Sequence, residues 1–427
     1  MKLKAFIAIL MLSQLAQAQL TAEEKQSTLK SMFDILSKKY VKEEATEEIE
    51  QRLTKHYLNG RYDSLISEED FAFSVTEDLR EITQDLHLGL TYYPVENSEN
   101  VVESDEKEKE EYLKMVLGSS GFGFRKKEIL PGNIGYLEIP LFGPLDRVAD
   151  TLVDAMHKVA DTDALILDLR ECRGSMDQNT VPFLLGYFFQ DPVHLMDFHI
   201  RETNFIRQFW SVAWVPGKKY LNKPVYVLTS GRTFSGGEAL AFLMQKRQRA
   251  TIIGNITRGG SHPFQLMRLN NKFGVNVPYS TSVDPVDGSS WEGVGVNPDI
   301  FVDTKLALHE AHLLALHDLL EKNSGVERKR LADIIEKQQA DKPIFKHLTF
   351  KLKAFPEAKK VIVTGSFNSW ERESLFMERK GDEWILSTEV SPGRHTYNFI
   401  VDGKWILDPA NPEIEKGEFE NSVVLVK

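Results

Sequence analysis

A chain of 427 residues with 42% hydrophobic content is long enough for two or three domains and has ample core material. Its formal charge of -11 excludes a nucleic-acid partner, because phosphate binding needs clustered Lys and Arg and no long basic stripe is present. Cys172 is the one cysteine, so no intrachain disulfide forms, and it reads as a small packed side chain.

The chain opens with MKLKAFIAILMLSQLAQAQ. Lys2 and Lys4 supply a positive end, Ala5 to Leu15 an apolar run, and Ala16-Gln17-Ala18 a small-residue cleavage site. The expectation is a signal peptide over 1–18, cleaved near Ala18, and a periplasmic or secreted mature protein. The apolar run is shorter than the roughly 20 residues a span requires, and no later segment is apolar enough for a transmembrane helix.

Residues 19–95 read as an N-terminal helical domain, since LKSMFDILSKKY and EIEQRLTKHYL repeat apolar residues at three and four. Residues 96–119 form an acidic connection, either solvated chain or exposed helix. Over 120–322 the pattern becomes strand, turn and helix. IGYLEIP, DALILDLR and KPVYVLTS are short apolar runs, and VADTLVDAMHKVA and GGEALAFLMQKRQ are helical. That alternation implies an α/β core with buried strands. HEAHLLALH suggests zinc, but the metalloprotease spacing needs a histidine at Leu313, so it reads as a helix face. Residues 323–343 are a charged helical linker. Over 344–427, HLTFKLK, KKVIVTGSF, EWILSTEV, HTYNFIVDG and NSVVLV alternate between turns, the pattern of a β-sandwich.

LTSGRTFSGGEALAFLMQ puts Ser235 between a buried strand and a helix. The first amides of a helix lack intrahelical partners and carry the positive end of its dipole. A nucleophile there has donors ready for an oxyanion, and Gly236 and Gly237 leave them accessible. The same residues also fit S-x-x-E, a helix capping box ending at Glu238. A serine hydroxyl needs a base, most often histidine held by a carboxylate. Two histidines lie in suitable local sequence, His87 in TQDLHLGLTYY and His262 in the glycine-rich RGGSHPF.

LILDLRECRG, LTSGRTFSGGEALAFLMQ, RATIIGNITRGGSHP and GSSWEGVGVNPDI occur in the order found in the tail-specific (C-terminal processing) serine peptidases. Over about residues 30–320 the chain resembles that family, most of all its interphotoreceptor retinoid-binding and tricorn-core branch. The resemblance implies an α/β crotonase-like (ββα) core after a helical domain, and peptide-bond hydrolysis through an acyl-enzyme without metal or cofactor. It makes Ser235 the nucleophile, Gly236 and Gly174 the oxyanion amides, His87 the base and Glu292 the orienting carboxylate. His262 remains the alternative base or a wall of the substrate groove. Three departures stand out: no lysine follows Gly259-Gly260, Leu86 replaces the serine before the histidine, and Thr91 to Pro131 leaves no room for a PDZ domain. Loss of such partners costs orders of magnitude in rate, so a weakly active or inactive binder of a small apolar ligand is the alternative.

VIVTGSFNSW, SPGRHTYNFIVDGKW and NSVVLV resemble the glycogen-binding domain of the AMP-activated kinase β subunit over about residues 347–427. That resemblance implies an immunoglobulin-like sandwich and an α-glucan partner. It assigns sugar stacking to Trp370 and Trp405 and a hydroxyl contact to Asn421, and it puts Asn398 where the family has lysine. The alternative is that both tryptophans are packing residues; Trp384 reads as core. A protein acting mainly through this sandwich is the third functional reading.

Overall fold

The computed structural model describes residues 20–93, 101–368, 370, 372, 374–417 and 420–427, with backbone alone at 101–109. The signal peptide expected over 1–18 lies outside the described residues. Among the described residues no helix is long and apolar enough to cross a membrane. Two compact units divide the chain, Met1–Ile335 and Glu336–Lys427.

The first unit is built on a six-stranded sheet. Its order is Ile300–Phe301, Thr251–Gly254, Val225–Thr229, Ala164–Asp168, Ile134–Glu138, Lys126–Leu130. Only the last pair is antiparallel. The central strands carry apolar residues at consecutive positions because both faces are covered. Leu165, Leu167, Val225 and Val227 pack against the helices Leu145–Val159 and Gly236–Lys246. Ala164, Ile166, Tyr226 and Leu228 turn to the other face and meet the helix Ala307–Lys322. Leu331 and Ile335 of the charged helix Gly325–Ala340 join that second core, so this segment is more than a tether.

Among the described residues, three of the helices that precede the sheet pack together. Ala22–Lys39 starts on a capping box, in which Thr21 caps and Glu24 reaches back, and its first and last turns match the helix dipole in charge. Thr46–Leu58 packs Ile49 and Leu53 inward, and Glu68–Thr83 packs Phe71, Val75 and Leu79. They share one core with Phe273, Val275 and Val277 of the strand Phe273–Pro278. That strand lies between Gly89–Tyr92 and Phe264–Arg268 in a three-stranded antiparallel sheet. The acidic stretch is helical over Val101–Ser119, where Glu110 accepts two hydrogen bonds from Arg147, each of 3.0 Å.

The second unit contains two antiparallel sheets. One is ordered Lys346–Leu352, Glu383–Val390, Glu378–Lys380; the other runs Val361–Gly365, Gly393–Val401, Asn421–Val426, Ile414–Glu415. Phe350, Val363, Trp384, Tyr397 and Phe399 form their common core, with Trp384 buried as its strand alternation implies.

Candidate active site

The neighbouring parallel strands Ala164–Asp168 and Val225–Thr229 release their following loops side by side, at the sheet end where open α/β folds gather ligands. Three hydrogen bonds lace the loops together. Ser230 Oγ donates to the Arg170 carbonyl at 2.6 Å, Thr233 Oγ1 to that of Leu169 at 2.8 Å, and the Phe234 amide to that of Cys172 at 2.9 Å. Ser235 then caps the helix with φ 52° and ψ −114°, a left-handed conformation that costs a non-glycine residue about 1–3 kcal/mol. Gly174 has φ 123°, and a Cβ there would stand 3.0 Å from Ser235 Cβ and 3.5 Å from its Oγ. Neither the Gly174 nor the Gly236 amide donates to a backbone carbonyl among the described residues. Two available N–H groups therefore flank the hydroxyl.

Glu238 does more than cap. Its buried carboxylate accepts from the amides of Ser235 (2.8 Å), Gly259 (2.6 Å) and Gly260 (2.9 Å) and from Thr257 Oγ1 (2.6 Å). It therefore ties the serine to the glycine-rich turn that carries Ser261 and His262. Burial pushes this carboxyl up to about 7, against the pull of those four donors. Cys172 packs beneath the helix start, within 2.9 Å of where a Gly237 Cβ would be. Burial raises its thiol to about 12, so it supplies no thiolate near neutrality.

The two histidines come from segments far apart in the chain and meet at Asp85. The helix Glu68–Thr83 ends on Gln84 in a left-handed turn, and Asp85 and His87 follow at once. Asp85 is fully buried. Its Oδ1 accepts from the His87 amide at 3.1 Å, and its Oδ2 lies 2.9 Å from His262 Nδ1 and 3.2 Å from the Tyr40 hydroxyl. Burial pushes the Asp85 carboxyl up, but the hydrogen bond and charge of His262 outweigh it and hold the group below its usual range. An ionised carboxylate only accepts, so His262 Nδ1 carries the proton. Glu292 closes the cluster: its Oε2 takes the Ser261 amide at 2.6 Å, and its Oε1 lies 3.4 Å from His262 Nδ1. Burial, reinforced by the Asp85 charge, raises the Glu292 carboxyl. Donor atoms of Asp85, His262 and Glu292 all lie within 4.8 Å, a spacing open to a shared cation, but the His262 ring proton already serves it and no metal is assigned.

His87 is held differently. Its ring stacks on Phe234, the residue before the serine, at 4.6 Å and 26°, and lies 5.4 Å from Phe264. A Cβ on Gly260 would fall 2.2 Å from the Phe234 ring and 2.9 Å from His87 Cε1, so glycine is what admits the stack. Burial lowers the imidazole to about 4 despite the opposing Asp85 charge, leaving it neutral and able to accept a proton at pH 7. His87 Nδ1 and Glu292 Oε1 are both buried without a hydrogen-bond partner. No hydrogen bond joins Ser235 Oγ to either ring among the described residues.

Sequence reasoning named Ser235, Gly236, Gly174, His87, His262 and Glu292. The structure packs Gly174 on Ser235 and Glu292 beside His262, and it sets His87 against Phe234. It missed Asp85, although that residue stands two places before His87, and the reach of Glu238 to Gly259 and Gly260. A cavity of about 410 Å³ opens beside the serine, lined by Ser235, Gly236 and Ser261 and by apolar Val181, Met196, Phe198 and Trp291.

In the second unit, the rings of Trp370 and Trp405 lie 6.2 Å apart at 49°, and Trp405 is 43% exposed. Asn398 is buried and donates to Asn421 Oδ1 at 2.9 Å, so this position points inward where the resemblance calls for a solvent-facing lysine. The cation beside the tryptophans is Arg372, whose guanidinium lies 5.1 Å from the Trp405 ring centre. Sequence reading did not find it, because it lies outside the matched positions.

Residues 133–302 match the model for peptidase family S41, and residues 15–120 match the N-terminal domain of that family in eukaryotic IRBP. Residues 348–427 match the glycogen recognition site of AMP-activated protein kinase. The chain thus carries an S41 peptidase domain, an S41 N-terminal domain and a glycogen-recognition domain. Protein PTST homolog 2 of Arabidopsis thaliana is 33% identical over 69 residues, 16% of this chain and 13% of its own length. The AMP-activated protein kinase subunit beta-1 of Sus scrofa is 36% identical over 56 residues, 13% of this chain and 44% of that protein. The chain therefore spans less than half of either relative. Among solved structures, a lipoprotein from Streptococcus agalactiae is 15% identical with a TM-score of 0.48, covering 68% of this chain and 96% of that one. The photosystem II D1 C-terminal processing protease is 22% identical with a TM-score of 0.34, covering 42% and 45%.

Proposed function

We propose that the protein is an exported serine peptidase in which Ser235 attacks a peptide carbonyl. The observation that carries this reading is the conformation of Ser235, strained at a helix start between two amides without backbone partners. In the reaction, the Oγ–H proton passes to His87 as the Oγ–C bond forms. The Gly174 and Gly236 amides receive the oxyanion, and His87 returns the proton to the leaving amine. Water then releases the acyl group by the same route. Glu292 acts on His87 through an intermediary, since the buried His87 Nδ1 lacks a hydrogen-bond partner and needs one. Asp85 and His262 form a fixed wall behind this pair. On this reading residues 19–95 are a helical domain, 120–322 a crotonase-like core and 344–427 an immunoglobulin-like module, whose tryptophan pair and Arg372 take an α-glucan.

Labelling with a fluorophosphonate probe tests the assignment. Wild-type protein should be labelled and Ser235→Ala should not; equal labelling of both would reject Ser235. The apolar cavity favours a second reading, retention of a small apolar ligand, for which ligand binding would survive Ser235→Ala.

A further inference from the structure

We propose that Asp85 is a positioning residue for the reaction: it anchors the backbone that carries His87 and supplies the negative charge this ring needs while it holds a proton. The inference deepens the peptidase reading and rests on it. What the fold asks of Asp85 and what the residue is do not match. Three donors meet its buried carboxylate: the His87 amide at Oδ1 (3.1 Å), and His262 Nδ1 (2.9 Å) and the Tyr40 hydroxyl (3.2 Å) at Oδ2. The first contact is an Asx turn, which asparagine makes equally well. An amide would also satisfy the other two, because an imidazole can move its proton to its other nitrogen and a hydroxyl can turn to accept. Hydrogen bonding alone therefore does not call for a charge here, and an ionised carboxylate held away from water costs several kcal/mol.

His87 is where that charge acts. The ring is buried against Phe234 and Phe264, and its Nδ1 has no hydrogen-bond partner. A cation formed there is cut off from water. Arg80, on the helix Glu68–Thr83, donates to the Leu86 carbonyl at 3.0 Å, and the Arg258 guanidinium lies 5.3 Å from the centre of the Phe234 ring. His262 and, beside it, Glu292 complete the ionisable groups of this corner. Arg80, Arg258 and His262 oppose a proton on His87, and Asp85 favours it. On the proposed mechanism the ring becomes an imidazolium as Ser235 Oγ bonds to the substrate carbonyl carbon. The Asp85 charge stabilises that state without touching the reacting atoms. Because its Oδ1 also holds the His87 amide, the charge and the ring are placed by one turn of chain.

The test uses the full-length protein and two readouts. In the first, histidine labelled with carbon-13 at Cε1 is followed by NMR, and the His87 signal is identified by its loss in His87→Gln. At pH 4.5 about a quarter of His87 should be protonated, and Asp85→Asn should cut that fraction at least about fivefold. In the second, turnover of a fluorogenic peptide at pH 7 should fall about tenfold or more in kcat for Asp85→Asn, with KM unchanged. Should Asp85→Asn fail to fold, Asp85→Ser carries both measurements, because a hydroxyl closes the same turn without a charge. An unchanged His87 titration overturns the proposal, even where the thermal midpoint drops, since a purely structural residue would give that result. Equal kcat in the variant overturns it as well. A shifted titration in a protein whose wild type neither turns over peptide nor labels at Ser235 would overturn the peptidase reading alone.

Discussion

The turns Asp85–His87 and Gly259–His262 each present a buried histidine to the same serine helix, and they are held in opposite ways. His262 is fixed by a carboxylate at its ring nitrogen and a second one close by, with backbone bonds from its turn to Glu292 and Glu238. His87 has a fixed backbone, through Asp85, but its ring touches mainly aromatic faces and one nitrogen has no partner. A ring locked by ions gains rigidity and loses freedom to exchange its proton. A ring that is only stacked keeps that freedom at the expense of an unsatisfied atom. On the proposed mechanism, the difference would make His262 the structural histidine and His87 the reactive one.

The comparison can be broken or sharpened by experiment. Ser235→Ala should reduce turnover of a fluorogenic peptide by about 10⁴-fold or more, since loss of a nucleophile leaves only binding and the oxyanion amides. His87→Ala should lose about 10³-fold in kcat with little change in thermal midpoint. His262→Ala should show the reverse emphasis. Asp85 and Glu292 then face each other without the Nδ1 donor between them, and chemical denaturation should register a loss of about 1–3 kcal/mol. Comparable stability of the two histidine variants, with His262→Ala the slower enzyme, would reverse the assignment.

Acid should expose His87 directly. Its imidazole is lowered to about 4 in the folded chain, below its ordinary value of 6.5, so the unfolded chain takes up the proton first. Stability attached to this group is whole above 6.5 and is lost as pH falls toward 4, amounting to about 3 kcal/mol. The gap in unfolding free energy between wild type and His87→Gln should shift by that amount across the window, in favour of the variant at low pH. A constant gap would place the ring in water. The smallest effect belongs to the second unit: Trp405→Ala should weaken retention on an α-glucan column about tenfold, leaving peptide turnover unchanged.

Much of the fold can be read from local sequence. Continuous apolar strands such as Ala164–Asp168 declare burial on both faces, and Thr21 with Glu24 announces a helix start. Ser235 is legible for the same reason, because strand, turn and helix are adjacent in the chain. Asp85 and Glu238 were harder to assign because their roles depend on groups far away in sequence. Asp85 meets His262 across 177 positions, and Glu238 meets Gly260 across 22. Asn398 fails differently. Matching by position finds the residue in the right strand, but only the packing of that strand shows its amide turned inward to Asn421. A short motif fixes neither kind of fact.

The strand Gly89–Tyr92 joins the segment bearing His87 to the strand Phe273–Pro278, and the three leading helices rest on that same strand. A truncated chain starting at residue 120 would keep every strand of the large sheet and both oxyanion glycines. It would also uncover Phe273, Val275 and Val277 and lose His87, the proposed proton acceptor. The proposed centre is therefore not a detachable cassette: whoever trims the leading third for convenience should expect an insoluble product that keeps Ser235 and lacks the histidine proposed to activate it.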